Sequence, residues 1–360
     1  MGGIANPRRK FGVAMLCVAV VACCAESERL RAADMANFPR PTMIETNGIR
    51  LAVYEQGKGF PVVLCHGFPE LAYSWRHQLP ALAKAGYHVL APDQRGYGAS
   101  DRPEEVAAYG IDQLCGDLVG LLDARGITKA VFVGHDWGGA IVWMMPILHP
   151  DRVAGVIGVN TPMTAPTPQP PIALLRQFRG PDNYMVKFQE PGVADRALAA
   201  DVRKTFQLFM RRGGLFNAEK FAKLPPDAPE RKFQLLTMLE QPVESYSGEV
   251  FLSDDELKVF VDTYQKTGFT GGINWYRNID RNWELTKDKP RKFDVPCLYV
   301  GAEDDVVLPP SSANGMEKLI PDLEKATIKA CGHWTQQEKP EEFNRIVIDW
   351  LGRHFPARGE

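Results

Sequence analysis

The sequence predicts an α/β fold in which a mostly parallel sheet, covered by helices on both faces, is interrupted by an inserted helical cap. Three observations predict it. Strand-like apolar runs alternate with helical patterns up to Val159, a proline-rich stretch follows, and strand patterns return at Pro296. Alternating strands and helices favour a parallel sheet between two helical layers. We therefore assign a leader to 1–36, the core to 37–160 and 288–360, and the cap to 161–287.

The first part of the core is predicted to begin with a hairpin. Asn47-Gly48, a strong signal for a tight turn between strands, separates two short segments of strand-like residues. Apolar runs and helical patterns then follow one another as far as the cap. The predicted strands lie near 61–65, 88–92, 130–134 and 153–159, and the predicted helices near 75–84, near 112–123 and directly after Asp136.

The cap is predicted from the loss of this alternation. Five prolines between Thr161 and Pro171 are typical of a stiff hinge, and the segment from Ile172 to Glu284 lacks buried-strand runs. Ser253-Asp-Asp-Glu256 is a capping box that opens an amphipathic helix, which Gly268 ends. The core is then predicted to resume with strands at 296–301 and 326–330 and a closing helix at 341–351.

The composition excludes several classes of function. Hydrophobic residues make up 45% and charged residues 24%, with a net charge of −2 and no basic stripe, so nucleic acid is not an expected partner. Zinc-type spacing, a P-loop and a dinucleotide fingerprint are all missing from the sequence, so we expect neither a metal nor a cofactor. Four scattered cysteines are predicted to be buried, reduced thiols: Cys65, Cys115, Cys297 and Cys331.

The N-terminus allows two interpretations. Arg8-Arg9-Lys10 precedes an apolar run, which is typical of a signal segment, and the stretch ending at Cys23 loosely resembles a lipoprotein cleavage box. In that case the protein is exported, periplasmic or membrane-anchored. Alternatively, translation starts at Met35, residues 1–34 are not translated, and the protein is cytoplasmic.

The most informative motif is Gly134-His-Asp136-Trp-Gly138, which follows a short apolar strand and opens a helix. This is the context of a nucleophile elbow, with aspartate in place of serine. The helix N-terminus favours the ionised carboxylate. A carboxylate that attacks saturated carbon leaves an ester that water can hydrolyse, whereas serine would leave a stable ether. Asp136 therefore predicts an alkylating substrate, an epoxide or an alkyl halide.

A base must activate water on that ester. His333 is the best-placed histidine because it follows the last predicted strand, whereas His66 and His135 are interpreted as shaping the backbone near the site. An orienting acid is expected after the penultimate strand, where Glu303, Asp304 and Asp305 are all candidates.

Five segments, in order, resemble the soluble epoxide hydrolase family of the α/β-hydrolase superfamily over residues 38–355. They are His66–Glu70, Asp93–Ser100, Gly134–Gly138, Gly301–Asp305 and Cys331–Gln336. The resemblance implies an α/β-hydrolase fold and makes Asp305 the orienting acid.

The resemblance also implies further site residues. Tyr184 and Tyr276 in the cap would donate to the epoxide oxygen, whereas Tyr246 and Tyr264 are interpreted as structural. The backbone N–H groups of Phe68 and Trp137 would form an oxyanion hole, and Phe68–Pro69 is a candidate cis bond. The side chains implied to contact substrate are Phe68, Trp137 and Trp334.

We therefore expect a cofactor-free epoxide hydrolase that acts on a small epoxide with water, as a monomer or homodimer. A haloalkane-type dehalogenase is the nearest alternative, although it would have no use for two phenols in the cap. A second alternative is a non-catalytic ligand receptor on the same fold. Asp136 disfavours an esterase.

Overall fold

The computed structural model describes residues 38–212, 218–225 and 228–357. The predicted leader, with its arginine pair and Cys23, lies outside these residues. The segment from Arg40 onward forms one compact unit. No helix within the described ranges is long and apolar enough to cross a membrane.

Eight strands in the described part of the chain form one sheet, in the order β1-β2-β4-β3-β5-β6-β7-β8. β2 pairs antiparallel with β1 and β4, and every later pair is parallel. The predicted fold class is therefore confirmed. The strands are β1 Thr42–Thr46, β2 Ile49–Gln56, β3 Phe60–Cys65, β4 Tyr87–Asp93, β5 Ala130–His135, β6 Val153–Val159, β7 Cys297–Ala302 and β8 Leu323–Ile328.

The central strands are buried on both faces, which explains their continuous apolar runs. In register, Gly134 of β5 lies between Cys65 of β3 and Gly158 of β6. These parallel strands therefore end at one edge of the sheet, where ligands bind in open α/β sheets. The segments that follow β3, β5, β6, β7 and β8 all meet there.

Helices of the core flank the sheet, and the helices between β6 and β7 form the insertion. The first core helices are α1 Gln78–Lys84, α2 Ile111–Ala124 and α3 Trp137–Leu148. The insertion contains α4 Pro171–Arg179, α5 Tyr184–Lys187, α6 Val193–Ala199, α7 Val202–Phe209, α8 Ala218–Lys223, α9 Leu235–Glu240, α10 Asp254–Thr267, α11 Thr270–Arg277 and α12 Ile279–Thr286. The core closes with α13 Thr335–Glu338 and α14 Pro340–His354.

Short 3₁₀ turns complete the described secondary structure. They span Ala72–Trp75, Val106–Tyr109, Pro150–Arg152, Pro229–Lys232, Val243–Ser245, Pro310–Ala313 and Met316–Lys318.

Several local predictions are confirmed. Asn47 and Gly48 both have positive φ, as a tight hairpin turn requires. Ser253 and Glu256 form the reciprocal capping box of α10, and Gly268 ends that helix at φ 66°. The last strand was predicted at 326–330, but β8 spans Leu323–Ile328. The strand cannot extend to Ala330, because that residue has a φ of 46°, which is not an extended conformation.

The described cysteines are free and buried, as predicted. Burial is the main reason that the pKa of each thiol is raised, to about 12 in Cys297 and further in the other three: Cys65, Cys115 and Cys331. These thiols are protonated at neutral pH.

Candidate active site

Asp136 lies in a strained turn between β5 and α3, with φ 53° and ψ −120°. Glycines make this turn possible. A Cβ at Gly134 would lie 2.2 Å from the carbonyl oxygen of Gly138, and a Cβ at Gly138 would lie 2.0 Å from that of Cys65. The turn is therefore the sharp strand-to-helix bend predicted from the sequence.

Three charged groups lie in a line at this site: Asp136, His333 and Asp305. His333 Nδ1 donates to Asp305 Oδ2 at 2.8 Å, so His333 Nε2 faces Asp136 Oδ2 at 3.6 Å. Of the three candidate acids, the structure brings Asp305 to the histidine. The side chain of Glu303 is exposed and accepts from the Ala330 N–H instead. Asp304 donates its N–H to the Cys331 carbonyl at 2.9 Å, and in the described part of the chain it forms neither a hydrogen bond nor an ion pair with His333.

Asp305 is held as a carboxylate by donors on both oxygens. The N–H groups of Val307 and Leu308 donate to Oδ1 at 2.9 and 3.0 Å, and Asn160 Nδ2 donates to Oδ2 at 2.8 Å. Burial alone would raise the pKa of Asp305, but the charge of His333 and these hydrogen bonds lower it. Burial likewise opposes protonation of His333, yet the two carboxylates raise its pKa well above the usual value.

Asn160 is a site residue that the sequence analysis did not assign. It has φ 60° directly after β6, and its Oδ1 accepts from Thr335 Oγ1 at 2.7 Å. It thus orients the acid while anchoring the segment that carries His333. Its position at the carboxyl end of a central parallel strand was the available signal.

The loop after β3 closes over the carboxylate. Phe68 N–H donates to Asp136 Oδ1 at 2.9 Å, and the Phe68–Pro69 bond is cis. A Cβ at Gly67 would lie 2.4 Å from Asp136 Cβ, so only glycine fits there. Trp137, whose N–H the resemblance pairs with that of Phe68, is the first residue of α3.

Tyr184 and Tyr276 face the carboxylate from the cap. Their ring centroids are 5.7 Å apart, and both line a cavity of about 30 Å³ that also contains Asp136 and His333. Burial, reinforced by neighbouring acidic groups such as Asp136, raises the pKa of both phenols, which keeps them neutral donors.

The other implied residues are distributed differently. Phe68 and Trp334 line the same cavity, whereas Trp137 lines a larger neighbouring one and packs edge-on against Tyr276 at 5.0 Å. Tyr246 donates to the Gln241 carbonyl on the surface of the cap, away from these residues.

A buried polar network lies behind the histidine. His135 Nδ1 and Nε2 contact Glu70 Oε2 at 2.6 Å and the His333 carbonyl at 2.7 Å. Both partners of this ring are acceptors, and the short contact at Nδ1 joins His135 to the Glu70 carboxylate. Burial alone would raise the pKa of Glu70, but the charge of His135 lowers it to about 2.

This network continues to the cap. Glu70 Oε1 accepts from Gln336 and Gln337, and Gln337 Oε1 accepts from Arg76 Nη1 at 2.7 Å. Arg76 Nε donates to Glu256 Oε1 of α10 at 2.8 Å. Tyr264, also in α10, donates to the Glu70 carbonyl at 3.0 Å. The backbone-shaping role predicted for His135 is thus one part of a connection between site and cap.

The described residues contain no group of three or more His, Cys, Asp or Glu side chains arranged to hold a metal ion.

Comparison with known proteins gives consistent results. Residues 61–340 match the family described as alpha/beta hydrolase fold. Epoxide hydrolase A of Mycobacterium tuberculosis is 44% identical over 87% of this chain and 97% of its own length. Bifunctional epoxide hydrolase 2 of Rattus norvegicus is 40% identical over 97% of this chain, which spans only 64% of that longer protein.

Solved structures agree. The crystal structure of epoxide hydrolase A from Mycobacterium thermoresistibile has a TM-score of 0.76 and 41% identity, covering 87% of this chain and 98% of that one. An epoxide hydrolase from an endophytic Streptomyces has a TM-score of 0.75 and 33% identity, covering 88% and 96%.

Proposed function

This chain belongs to the soluble epoxide hydrolase family of the α/β-hydrolase superfamily, and we propose that it opens epoxides to vicinal diols through a covalent ester on Asp136. The observation that carries the proposal is the position of a carboxylate between an imidazole–carboxylate pair and two neutral phenols.

In the first step, Asp136 attacks one carbon of the epoxide ring. Phe68 N–H holds Oδ1, which leaves Oδ2 as the oxygen that forms the new bond to carbon. The ring C–O bond breaks, and its electron pair goes to the epoxide oxygen. Tyr184 or Tyr276 gives that oxygen a proton, so that no free alkoxide forms.

Formation of the ester changes the environment of His333. The negative charge of Asp136 is one of the causes that raise the pKa of His333 in the free protein. Because the ester is neutral, the pKa of His333 falls when the ester forms. The imidazole then becomes a base at the step that needs one, while Asp305 keeps its orientation fixed.

In the second step, His333 accepts a proton from water, whose oxygen attacks Asp136 Cγ. The negative charge that develops on Oδ1 is stabilised by the N–H of Phe68 and, as the family resemblance implies, by that of Trp137. The ester C–O bond then breaks, and the leaving oxygen takes the proton that His333 accepted from water, which makes it the second hydroxyl. The other proton of that water, left on the new Asp136 carboxyl group, passes to the phenolate. The carboxylate, imidazole and phenol are thus restored, and the net change is addition of one water.

The alternatives explain less of the site. A dehalogenase would need a carboxylate and a base but not two phenols that face the carboxylate. A ligand receptor would need neither an Asp305–His333 hydrogen bond nor a strained nucleophile turn. Diol formation from an epoxide, without halide release from a chloroalkane, separates these three functions.

The test combines three variants. We expect Asp136→Ala to abolish diol formation, and His333→Gln to form the ester but to stall, which intact-protein mass spectrometry detects as an added substrate mass. Asp305→Asn should slow hydrolysis of the ester by roughly four orders of magnitude, as loss of the orienting acid does in related triads. Asp304→Asn, one residue away and without contact to His333, is the matched control and should turn over normally.

A single turnover in heavy-oxygen water tests the covalent step directly. The label should enter the Asp136 side chain and leave the first diol unlabelled. A labelled first diol with unlabelled protein would contradict the ester mechanism, as would steady turnover by His333→Gln.

A further inference from the structure

The segment Asp93–Ser100, one of the five motifs in the sequence, takes no part in the two proposed chemical steps but forms a turn on the core. Asp93 Oδ1 accepts from the Ala72 N–H at 2.9 Å, and its Oδ2 accepts from the Ala99 N–H at 3.0 Å. Ser100 Oγ donates to the Asp93 carbonyl. The two ends of the turn are therefore tied to each other and to the core.

Helix α11, which carries Tyr276, lies directly on this turn. A Cβ at Gly271 would lie 2.2 Å from the Gly96 carbonyl oxygen, so the two backbones approach too closely for a side chain between them. Trp275, about one helical turn after Gly271, donates from Nε1 to the Arg95 carbonyl at 3.1 Å. A close backbone contact and a buried hydrogen bond thus join this face of α11 to the core.

An adjacent face of α11 points towards the nucleophile. Gly272 and Tyr276 are four residues apart in the helix and therefore share this face. A Cβ at Gly272 would lie 2.7 Å from Phe68 Cδ2, and the ring of Tyr276 packs edge-on against that of Phe68 at 5.4 Å. Because the backbone hydrogen bonds of a helix hold its faces together, the contact with the turn fixes how far Tyr276 reaches towards Asp136.

Tyr97 gives the turn a second link to the site. Its ring packs edge-on against Trp275 at 5.0 Å and against His66 at 4.8 Å. His66 belongs to the loop after β3, and its Nε2 accepts from the Gln94 N–H at 3.1 Å. The turn therefore contacts both the loop that holds Asp136 Oδ1 and the helix that carries the phenol.

Given the proposed mechanism, on which this inference rests, we infer that the turn Asp93–Ser100 sets the position of α11, and that Gly271 and Trp275 are positioning residues for Tyr276. In the part of the chain that the structure describes, neither of them lines the cavity around Asp136. Their contacts with the turn place the phenol where it gives its proton to the epoxide oxygen. They should therefore matter for ring opening and not for hydrolysis of the ester, which depends on groups of the core.

The test measures ester formation separately from ester hydrolysis. Formation is followed by intact-protein mass spectrometry in the His333→Gln background, in which the ester stalls, with styrene oxide and a terminal epoxyalkane. Gly271→Ala, whose Cβ displaces α11 from the turn, should slow formation by about 10- to 100-fold, the cost of misplacing a group by roughly 1 Å. With His333 intact, the fraction of protein that carries the ester during turnover should fall, because hydrolysis is unchanged.

Trp275→Phe is the second variant, because it removes the N–H that Arg95 accepts and keeps an aromatic ring against Tyr97. It should slow ester formation by about tenfold. Gly352→Ala and Trp350→Phe in α14 are the matched controls. A Cβ at Gly352 would meet no atom within 4 Å, and Trp350 is also a buried tryptophan. Both controls should form the ester at the normal rate.

A double-mutant cycle shows whether the effect acts through the phenol. In Tyr276→Phe, which has no proton to give at that position, Gly271→Ala should cause little further slowing. Equal slowing with and without the phenol, or an unchanged ester fraction during turnover, would overturn the inference, because a loosened cap would give either result. Normal ester formation in both Gly271→Ala and Trp275→Phe would also overturn it. Absence of ester and diol from the unaltered protein would instead reject the proposed function.

Discussion

The buried ion pair between Arg76 and Glu256 should contribute strongly to the attachment of the cap to the core. Arg76 Nε lies 2.8 Å from Glu256 Oε1, and both side chains are only 2% exposed. Burial alone would raise the pKa of Glu256, but the charge of Arg76 lowers it. Each charge therefore depends on the other for its neutralisation.

The expected magnitudes follow from this burial. Removing one partner leaves the other charge buried and unpaired, which costs about 3–5 kcal/mol. Glu256→Gln keeps an acceptor for the Ser253 N–H, so the capping box survives and the loss is that of the charge. Arg76→Met keeps most of the side-chain volume. The double variant, which buries no unpaired charge, should be about as stable as either single variant.

The assay is a double-mutant cycle of urea unfolding at constant pH, which gives the free energy of unfolding for the four proteins. We expect the two substitutions to deviate from additivity by about 3 kcal/mol. Lys258→Met, which alters an exposed i,i+4 pair on the same helix, is the control and should change stability by less than about 1 kcal/mol. Additive effects within about 0.5 kcal/mol would refute the coupling between core and cap.

Three further predictions concern the site. Tyr184→Phe and Tyr276→Phe should each slow ester formation by about 10²–10⁴-fold in rapid-quench experiments, and a normal rate in both would remove the phenols from the mechanism. At pH values below the pKa that His333 has in the ester form, the ester on Asp136 should accumulate, because Asp136 still attacks the epoxide while protonated His333 cannot activate water. Intact-protein mass spectrometry across pH measures the fraction of protein that carries the ester. A fraction that stays constant with pH would contradict the role of His333. Glu70 has a pKa lowered from 4.5 to about 2, so its contribution to stability is complete above 4.5 and is lost as the pH falls towards 2. Unfolding measured across that range should lose on the order of 3 kcal/mol more in the original protein than in Glu70→Gln, and parallel curves would argue against the Glu70–His135 pair.

The sequence was sufficient where short-range geometry decides the structure. The Asn47-Gly48 turn, the capping box at Ser253 and the glycines around Asp136 each act within a few residues, so their patterns are readable without the fold. The alternation of strands and helices also predicted the sheet, because each strand or helix pattern is read from its own few residues. Domain boundaries inside the proline-rich segment stay predictions.

The contacts that the sequence did not reveal join residues far apart in the chain. Asn160 binds Asp305 across 145 positions, and Arg76 binds Glu256 across 180. Arg76 carries no local sign of such a partner, and the only local sign at Asn160 is its position at the carboxyl end of a central parallel strand. Only the family resemblance could favour Asp305 over Asp304. The two acids are adjacent in a loop, and which of them faces the histidine depends on the loop conformation, which the sequence does not give.

The burial and raised pKa of the cysteine thiols have a consequence for the protein itself if its substrate is an epoxide. Such electrophiles alkylate sulfur readily, but the reactive species is the thiolate. Every cysteine in the described part of the chain is buried and has a raised pKa, so it presents neither access nor charge to a passing reagent. These four thiols are therefore protected from alkylation, whereas Asp136 lines the cavity and, in the proposed mechanism, forms an adduct that the protein can remove.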